Sequence, residues 1–470
     1  MSVLCLLSCG IVSLCFSFTG EWSAVIGLIP FILFITVYIF ADRKIALRSS
    51  VTKTARFTRL YVVLFVICFI FSYIAVTLLN FADCVWGNEI FRNLRYCALA
   101  VLPAVLFLLI ALSNAVAKIY EVPRNRKYVK SAKAKLAAGN IRVIGITGSF
   151  GKTSTKFILN TILSAKYRVL TTPRSHNTPI GIALAINSHG LENYDIFIAE
   201  MGARNVGDIA ELCEICPPDI SVITGLCGQH LETFGTFGNV VKAKGEILER
   251  TKQCAVIADD CYDLYAEYPC NKQRCDCVTD IECSPAGVKF KLTLGGESRV
   301  CESRLLGRHS AYNIAIAAQT AYLAGMTLDE IAAAVPQIEY IEHRLQLIQN
   351  NSVNILDDGY NSNVKGARAA LEVLRGFEGR KIVVTPGLVE LGVLEKQENY
   401  ELGKNLTGLD LVILVGDTLI EPVKCGYTDN GGDTEKIVTV PTLQAAQQHI
   451  KEYIRQGDTV LFLNDLPDVV

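Results

Sequence analysis

The 470-residue chain has no internal repeat and no low-complexity tract, so a solenoid or a disordered array is not in question. Charge of one sign is also missing: 45 basic and 46 acidic residues leave a net charge of −1. With no basic–aromatic stripe on the soluble part, nothing points to nucleic acid as a partner. No G-x-G-x-x-G follows any strand candidate of the C-terminal series, which argues against dinucleotide binding there. No basic segment precedes the first apolar run, as a cleaved signal peptide would need. Cysteine is plentiful and odd in number, at 17. In a cytoplasmic domain these should be reduced thiols rather than a disulfide framework. Neither Cys213/Cys216 nor the group Cys270, Cys275, Cys277 and Cys283 has the spacing of paired C-x-x-C zinc knuckles.

What the chain does have is apolar length. Hydrophobic residues make up 51% of it, with a mean hydropathy of +0.33, and the excess is concentrated near the N-terminus. The runs Met1–Gly20, Trp22–Ala41, Leu60–Leu79 and Tyr96–Ala117 carry no charged residue. Each is about the 20 residues that an apolar helix needs to cross a bilayer. Arg43, Lys44, Arg48, Lys53, Arg56 and Arg59 separate the second and third runs. Lys118, Arg124, Arg126, Lys127, Lys130, Lys133 and Lys135 follow the fourth. Because basic residues stay cytoplasmic, this pattern predicts four spans with both chain ends inside, a multi-pass protein of the cell membrane. Residues 1–117 are expected to form the transmembrane region and 118–140 a basic linker.

From Ile141 the pattern changes to short β-branched runs alternating with helical stretches. "IRVIGIT", "YDIFIA", "ISVIT" and "CAVIA" read as buried strands, and the helical segments between them predict a parallel sheet with crossover helices. After the helical "SAYNIAIAAQTAYLAG" and "TLDEIAAAVPQI", a second series begins: "VNILD", "KIVVT", "LVILV", "KIVTV" and "TVLFL". The expectation is α/β throughout: a P-loop-like central domain over 141–336 and a Rossmann-like domain over 337–470.

The segment "VIGITGSFGKTSTK" lies between the first strand and a helix. It is a shortened Walker A loop, with Ile146 where the first glycine of G-x-x-x-x-G-K-[ST] would stand. Glycines there let the backbone approach phosphate oxygens at a helix N-terminus. Gly148, Ser149, Gly151, Lys152, Thr153 and Ser154 are therefore the candidate ATP cradle. Lys152 would meet the β/γ phosphates and the Thr153 hydroxyl would ligate Mg²⁺.

The form T-G-[ST]-x-G-K-[ST] resembles that of the Mur ligase family, and other segments match the family in order. "AEMGA" resembles its acidic strand end, which implies Glu200 as a Mg²⁺ ligand. "GQHLETFG" places His230 at the metal site, and "KAKGEI" aligns Lys244 with a lysine carried as a carbamate formed from CO₂. "GRHSAYNIAIA" places Asn313 near adenine, "EHRLQ" supplies Arg344, and "LDDGYNSN" supplies Asp358, Tyr360, Asn361 and Asn363. "HNTPIGIALAI" adds Asn177 and Thr178 on the substrate side. Ser310 stands where the family usually has Asn, and Val364 where Pro normally follows "YNSN". The resemblance covers Ile141–Val470. Four apolar runs stand in place of the family's uridine-nucleotide-binding domain.

The resemblance implies an ATP-dependent ligase that phosphorylates a muropeptide carboxylate, using two Mg²⁺ ions, for attack by an amine. Lys152, Lys244 and His230 are the implied catalytic residues, and the metal set is Thr153, Glu200, His230 and Lys244. The segments are most similar to ligases that add D-alanyl-D-alanine to UDP-N-acetylmuramoyl-tripeptide. Two other readings remain open at this point: a ligase acting on lipid-linked muropeptide or making poly-γ-glutamate, and an ATP-binding membrane scaffold.

Overall fold

The computed structural model describes residues 55–87, 102–173, 176–228, 231–350, 353–359, 363–389 and 391–464. By packing, the chain divides after Lys127. In the first unit lies helix α1 (Ala55–Trp86), and α2 (Leu102–Ala138) begins there. Arg56–Trp86 and Val105–Ala138 are long and apolar enough to cross a membrane by length and composition. The first two apolar runs fall outside the described residues. At the basic end of α1, the buried Glu121 of α2 takes Arg56 at 3.3 Å and Arg59 at 3.8 Å. The stretch expected as a linker is helical through Ala138, with Pro123 inside the helix. Its many Ala, Lys and Arg residues are strong helix formers, which accounts for the continuation.

The second unit holds two six-stranded sheets and a small third one. In the first, β1 (Arg142–Thr147), β2 (Val169–Thr171), β3 (Ile196–Glu200), β4 (Ile220–Ile223), β5 (Cys254–Ala258) and β6 (Lys272–Cys275) take the order β2-β3-β1-β4-β5-β6. All of its pairings are parallel. The strands β1, β3, β4 and β5 are apolar almost without interruption, as a sheet covered on both faces requires. The crossover helices include α3 (Lys152–Ser164), α4 (Pro179–Asn187), α5 (Asp208–Ile215) and α6 (Phe237–Gly245), and α7 (Arg308–Leu323) packs against α3.

An antiparallel sheet of β7 (Val278–Ser284), β8 (Gly287–Leu294) and β9 (Glu297–Ser303) precedes α7. The second large sheet runs β10-β11-β15-β12-β13-β14, from β10 (Gln346–Asn350), β11 (Val353–Asp358), β12 (Lys381–Thr385), β13 (Leu411–Val415), β14 (Ile437–Val440) and β15 (Thr459–Leu463). Only the β10–β11 pairing is antiparallel, so this sheet is mixed. The nine strands read from the sequence are all present. β2, β6, β10 and the small sheet were not foreseen.

Among the helices of the second sheet are α8 (Val364–Arg375), α9 (Glu395–Asn405) and α10 (Ile420–Asp429). Here α9 and α10 cross with backbones in direct contact. A Cβ on Gly403 would overlap the Val423 carbonyl, and one on Gly426 would overlap that of Tyr400. Gly403→Ala should therefore destabilise the protein by about 1–3 kcal/mol, the usual cost of overpacking. Chemical denaturation followed in the second sheet checks this; an unchanged midpoint would mean that the helices can separate freely.

Candidate active site

Parallel strands bring their C-terminal ends to one edge, and ligands of open α/β sheets bind outside that edge. In the first sheet the edge is formed by Thr147, Glu200, Ile223 and Ala258, and the loops that follow line a cleft of about 950 Å³. Asp358, at the C-terminal end of β11, lines the same cleft, as do Arg344, Asn363 and Lys365. The site is thus built from both large sheets.

The loop after β1 is held tightly by its neighbour after β4. Ser149 N donates to the Gly225 carbonyl at 2.8 Å, and the Thr224 hydroxyl donates to the carbonyls of Thr147, at 3.3 Å, and Phe150. Gly148 has φ 149°, and a Cβ there would strike the Thr224 hydroxyl; Gly151 has φ 76°, and its Cβ would lie 2.8 Å from Asn313 Oδ1. The loop therefore needs glycine at both positions. It leads straight into α3, whose first N–H groups face the cleft from Lys152 and Thr153. A phosphate group fits such a terminus on charge alone.

Lys152 bends back over the loop and donates to the carbonyls of Gly148 at 2.7 Å and Ser149 at 3.3 Å. Burial lowers its pKa against the pull of Glu200, and Arg344 lowers it further. Glu200 is buried at the end of β3. The Thr153 hydroxyl lies 3.1 Å from each of its oxygens, the Asn177 amide 3.4 Å from Oε1, and Lys156 Nζ 3.1 Å from Oε2. Thr153 and Glu200 present hard oxygen donors of the kind Mg²⁺ prefers, so this end of the cleft fits a magnesium ion.

Lys244 lies in the last turn of α6, which Thr236 caps through Asn239 N. Only 3% of the residue is exposed, and its Nζ sits 5.9 Å from the centre of the Phe234 ring. Burial first, then the neighbouring Lys152 cation, push its pKa down to about 7. An ordinary lysine at pH 8 is an ammonium; this one is mostly a free amine, the form that adds CO₂. Next to it Glu246 accepts from Gly207 N at 2.6 Å and Ala210 N at 2.9 Å, and so caps α5.

Arg344 projects from a sharp turn, with its neighbours His343 and Leu345 both left-handed at φ 57° and 48°. The turn is pinned by two adjacent carboxylates: Asp357 Oδ2 lies 2.7 Å from His343 Nδ1, and Asp358 Oδ1 accepts from Leu345 N at 3.1 Å. Asn313 points from α7 toward the loop and is met by Thr155 at 3.5 Å. Thr178 and Asn363 line the cleft, but each also caps a helix, accepting from Gly181 N at 3.2 Å and Gly366 N at 2.9 Å.

The cleft thus gathers Gly148, Ser149, Gly151, Lys152, Thr153, Ser154, Asn177, Thr178, Glu200, Lys244, Asn313, Arg344, Asp358 and Asn363. His230, Tyr360 and Asn361 lie outside the described residues.

Both sequence departures have simple structural partners. Ser310, in the first turn of α7, donates to the carbonyl of Leu306 just before the helix at 2.7 Å. Val364 occupies the first position of α8, where proline would fit equally well.

Sequence reasoning missed Thr224, Lys156 and Lys365. Thr224 follows a recognised strand, the position where loop-bracing residues fall. Lys365 Nζ pairs with Asp260 at 2.9 Å and lies 5.0 Å from the centre of the Phe150 ring. It ties the second sheet to the phosphate loop, a long-range contact with no local signal. Lys156 reads in the sequence as an ordinary helix lysine, and only its burial in α3 sets it apart.

Comparison with known proteins fits this geometry. Residues 146–321 match the Mur ligase middle domain and 343–464 match the Mur ligase glutamate ligase domain. The UDP-N-acetylmuramoyl-tripeptide--D-alanyl-D-alanine ligase of Escherichia coli is 30% identical over 336 residues, covering 67% of this chain and 74% of that one. The chain belongs to the Mur ligase family. The Bacillus subtilis ligase of the same name is 29% identical over 70% of this chain and 74% of its own. Among solved structures, MurF of Thermotoga maritima in complex with ADP superposes with a TM-score of 0.64 at 28% identity, covering 72% of this chain and 80% of that one. MurF of Acinetobacter baumannii gives 0.66 at 25%, with 72% and 77% covered. As a Mur ligase, the protein is an ATP-dependent enzyme that joins an acid to an amino acid or peptide.

In nucleotide-free, metal-free and CO₂-free protein, the Lys244 amine should titrate near pH 7, read from its side-chain carbon shift in ¹³C-lysine-labelled protein. Lys152→Met removes the second cause of the depression and should move that midpoint upward. A midpoint near the ordinary lysine value would show that the amine is solvated and charged.

Proposed function

We infer that this Mur ligase joins D-alanyl-D-alanine to the peptide carboxylate of a UDP-N-acetylmuramoyl-tripeptide and works at the cytoplasmic face of the membrane. The observation that carries the reading is one cleft in which a phosphate loop, a buried acidic strand end and an amine of depressed pKa meet. The choice of substrates is supported by the names of the relatives in E. coli and B. subtilis.

A carboxylate and an amine do not condense in water, because oxide is too poor a leaving group. In this reading a carboxylate oxygen of the acceptor takes the γ-phosphoryl group of ATP, and ADP departs. The amine then attacks the acyl carbon and loses a proton while phosphate leaves. The sum is ATP, carboxylate and amine giving amide, ADP and phosphate.

Most of the catalysis in such a transfer is positioning and charge neutralisation. Lys152 and the first N–H groups of α3 hold the β and γ phosphates, and Arg344 supplies a second cation from the other sheet. Asn313 would face adenine and Asp358 the ribose, with Asn177 and Thr178 on the acceptor side and Asn363 on the amine side; the resemblance alone assigns Tyr360 to the base and Asn361 to the amine. Thr153, Glu200, His230 and the carbamate of Lys244 would hold two magnesium ions. Magnesium, when bound, neutralises phosphate charge and orients the acceptor carboxylate. The carbamate replaces a cation by an anion, removing the repulsion that an ammonium would exert on metal.

The two long apolar helices favour a membrane location, and the basic residues after Ala117 favour its cytoplasmic face. They also give weight to a second reading, in which the acceptor is lipid-linked.

ADP release separates these. Full-length protein in lipid nanodiscs should release ADP only when UDP-linked tripeptide and D-alanyl-D-alanine are both present. Turnover restricted to a lipid-linked acceptor would replace the first reading by the second. ATP binding without turnover on either would return the protein to a scaffold. Lys152→Ala should lower turnover by at least about 10²–10³-fold, the usual loss on removing one stabilising donor, with the fold intact by circular dichroism. Near-normal turnover would make the loop structural.

A further inference from the structure

Lys156 is the one feature of the phosphate-loop helix that the proposed chemistry does not use. It lies one turn beyond Lys152, on the inner face of α3 beside Thr155, Ile158 and Leu159. Its side chain is 0% exposed and that of Glu200 is 2%. Glu200 lines the cleft and Lys156 does not. The ammonium therefore approaches the carboxylate from behind, where no substrate reaches.

We propose that Lys156 is a positioning residue for the metal-site carboxylate: it holds Glu200 Oε2 from the rear and so aims the carboxylate at the cleft. This rests on the reading of Glu200 as a magnesium ligand. Three features of the geometry carry it. First, the contact is direct, at 3.1 Å. Second, Lys156 is itself fixed, donating to the Thr172 carbonyl at 3.0 Å, while the Thr172 hydroxyl accepts from Glu200 N at 3.2 Å. Thr172 thus locks the ammonium and the glutamate backbone into one frame. Third, among the described residues the other side-chain partners of the carboxylate, Thr153 and Asn177, both come from the cleft side. A carboxylate gripped only from the front would turn with its ligands; one anchored from the rear keeps its plane.

The alternative is that Lys156 merely neutralises a buried charge. The two roles predict opposite effects on metal. Loss of a neighbouring cation alone would leave metal affinity unchanged or raise it, because a repulsive charge has gone. Loss of an anchor lowers it, and partners of metal ligands are typically worth 10- to 100-fold in affinity.

The test is Mn²⁺ binding to full-length protein in detergent at saturating ADP, read by electron paramagnetic resonance. Lys156→Met should weaken Mn²⁺ about tenfold or more, and Lys156→Arg should recover most of the loss. Wild-type or tighter binding by a folded Lys156→Met protein would overturn the proposal. Removing one member of a buried pair strands the other charge and endangers folding, so the double variant, in which both members are neutral, is compared with Glu200→Gln. Glu200→Gln should weaken Mn²⁺, and adding Lys156→Met to it should cost nothing further. A further loss in that background would show that Lys156 acts by another route, also overturning the proposal. If Glu200→Gln leaves Mn²⁺ affinity unchanged, the metal reading of Glu200 is what has failed.

Discussion

Buried amines crowded at the phosphate-loop end of a partly dry cleft are the constraint from which the rest of the site follows. Lys152, Arg344 and Lys244 line it, with Lys156 immediately behind; Glu200 is the anion that acts on Lys152 and Lys156, and Asp208 and Glu246 act on Lys244. Burial of this many amines is unfavourable, and the lowered pKa values of Lys152, Lys156 and Lys244 record it, each with desolvation as the leading cause. A polyphosphate relieves that cost on binding. The site is thus arranged for a highly charged anion before one arrives, and part of its affinity comes from cations the fold holds at a disadvantage.

Such an arrangement draws its support from both large sheets. In the first sheet a central β1 flanked by β3 and β4 fixes the phosphate loop, Glu200 and Thr224 within one continuous hydrogen-bond ladder. The second sheet contributes Arg344, Asp358 and Asn363 through loops and strand ends. Lys365 reaches across to Asp260 and to the face of Phe150. This contact is exposed, so its ion pair contributes little to stability by itself. Its value is geometric, because it sets the second sheet's residues against the phosphate loop.

How much of this was legible depends on the range of the interactions involved. Strands such as "CAVIA" and "LVILV" declare themselves because burial on both faces demands unbroken apolar residues. The phosphate loop declares itself because Gly148 and Gly151 meet steric limits within a few residues. The short β2 and the edge strands β6 and β10 carry polar residues and depend on neighbours distant in sequence, so no local pattern reveals them. The two-sided grip on Glu200 was half legible: Thr153 belongs to a motif, whereas Lys156 looks like any helix-surface lysine until its face is known to be buried. Helical continuity of 118–138 was missed for a different reason. A dense basic run reads as a solvated connection, although the same residues are good helix formers.

Lys244 shows how the burial of amines and the chemistry are coupled. The Lys152 cation disfavours an ammonium at Lys244 and, by the same field, favours an anion there. On the proposed reading a carbamate at Lys244 would be favoured twice, first because the amine is free to add CO₂ and then by the Lys152 cation beside it. Nucleotide phosphates reverse the sign of that field, raising the amine's basicity and repelling a carbamate unless metal comes with them. On the proposed reading, CO₂ is best added before ATP, and ATP is best bound as its magnesium complex. The order follows from the charges alone: whichever anion enters first sets the field that the next must meet, and only the divalent cation lets both remain.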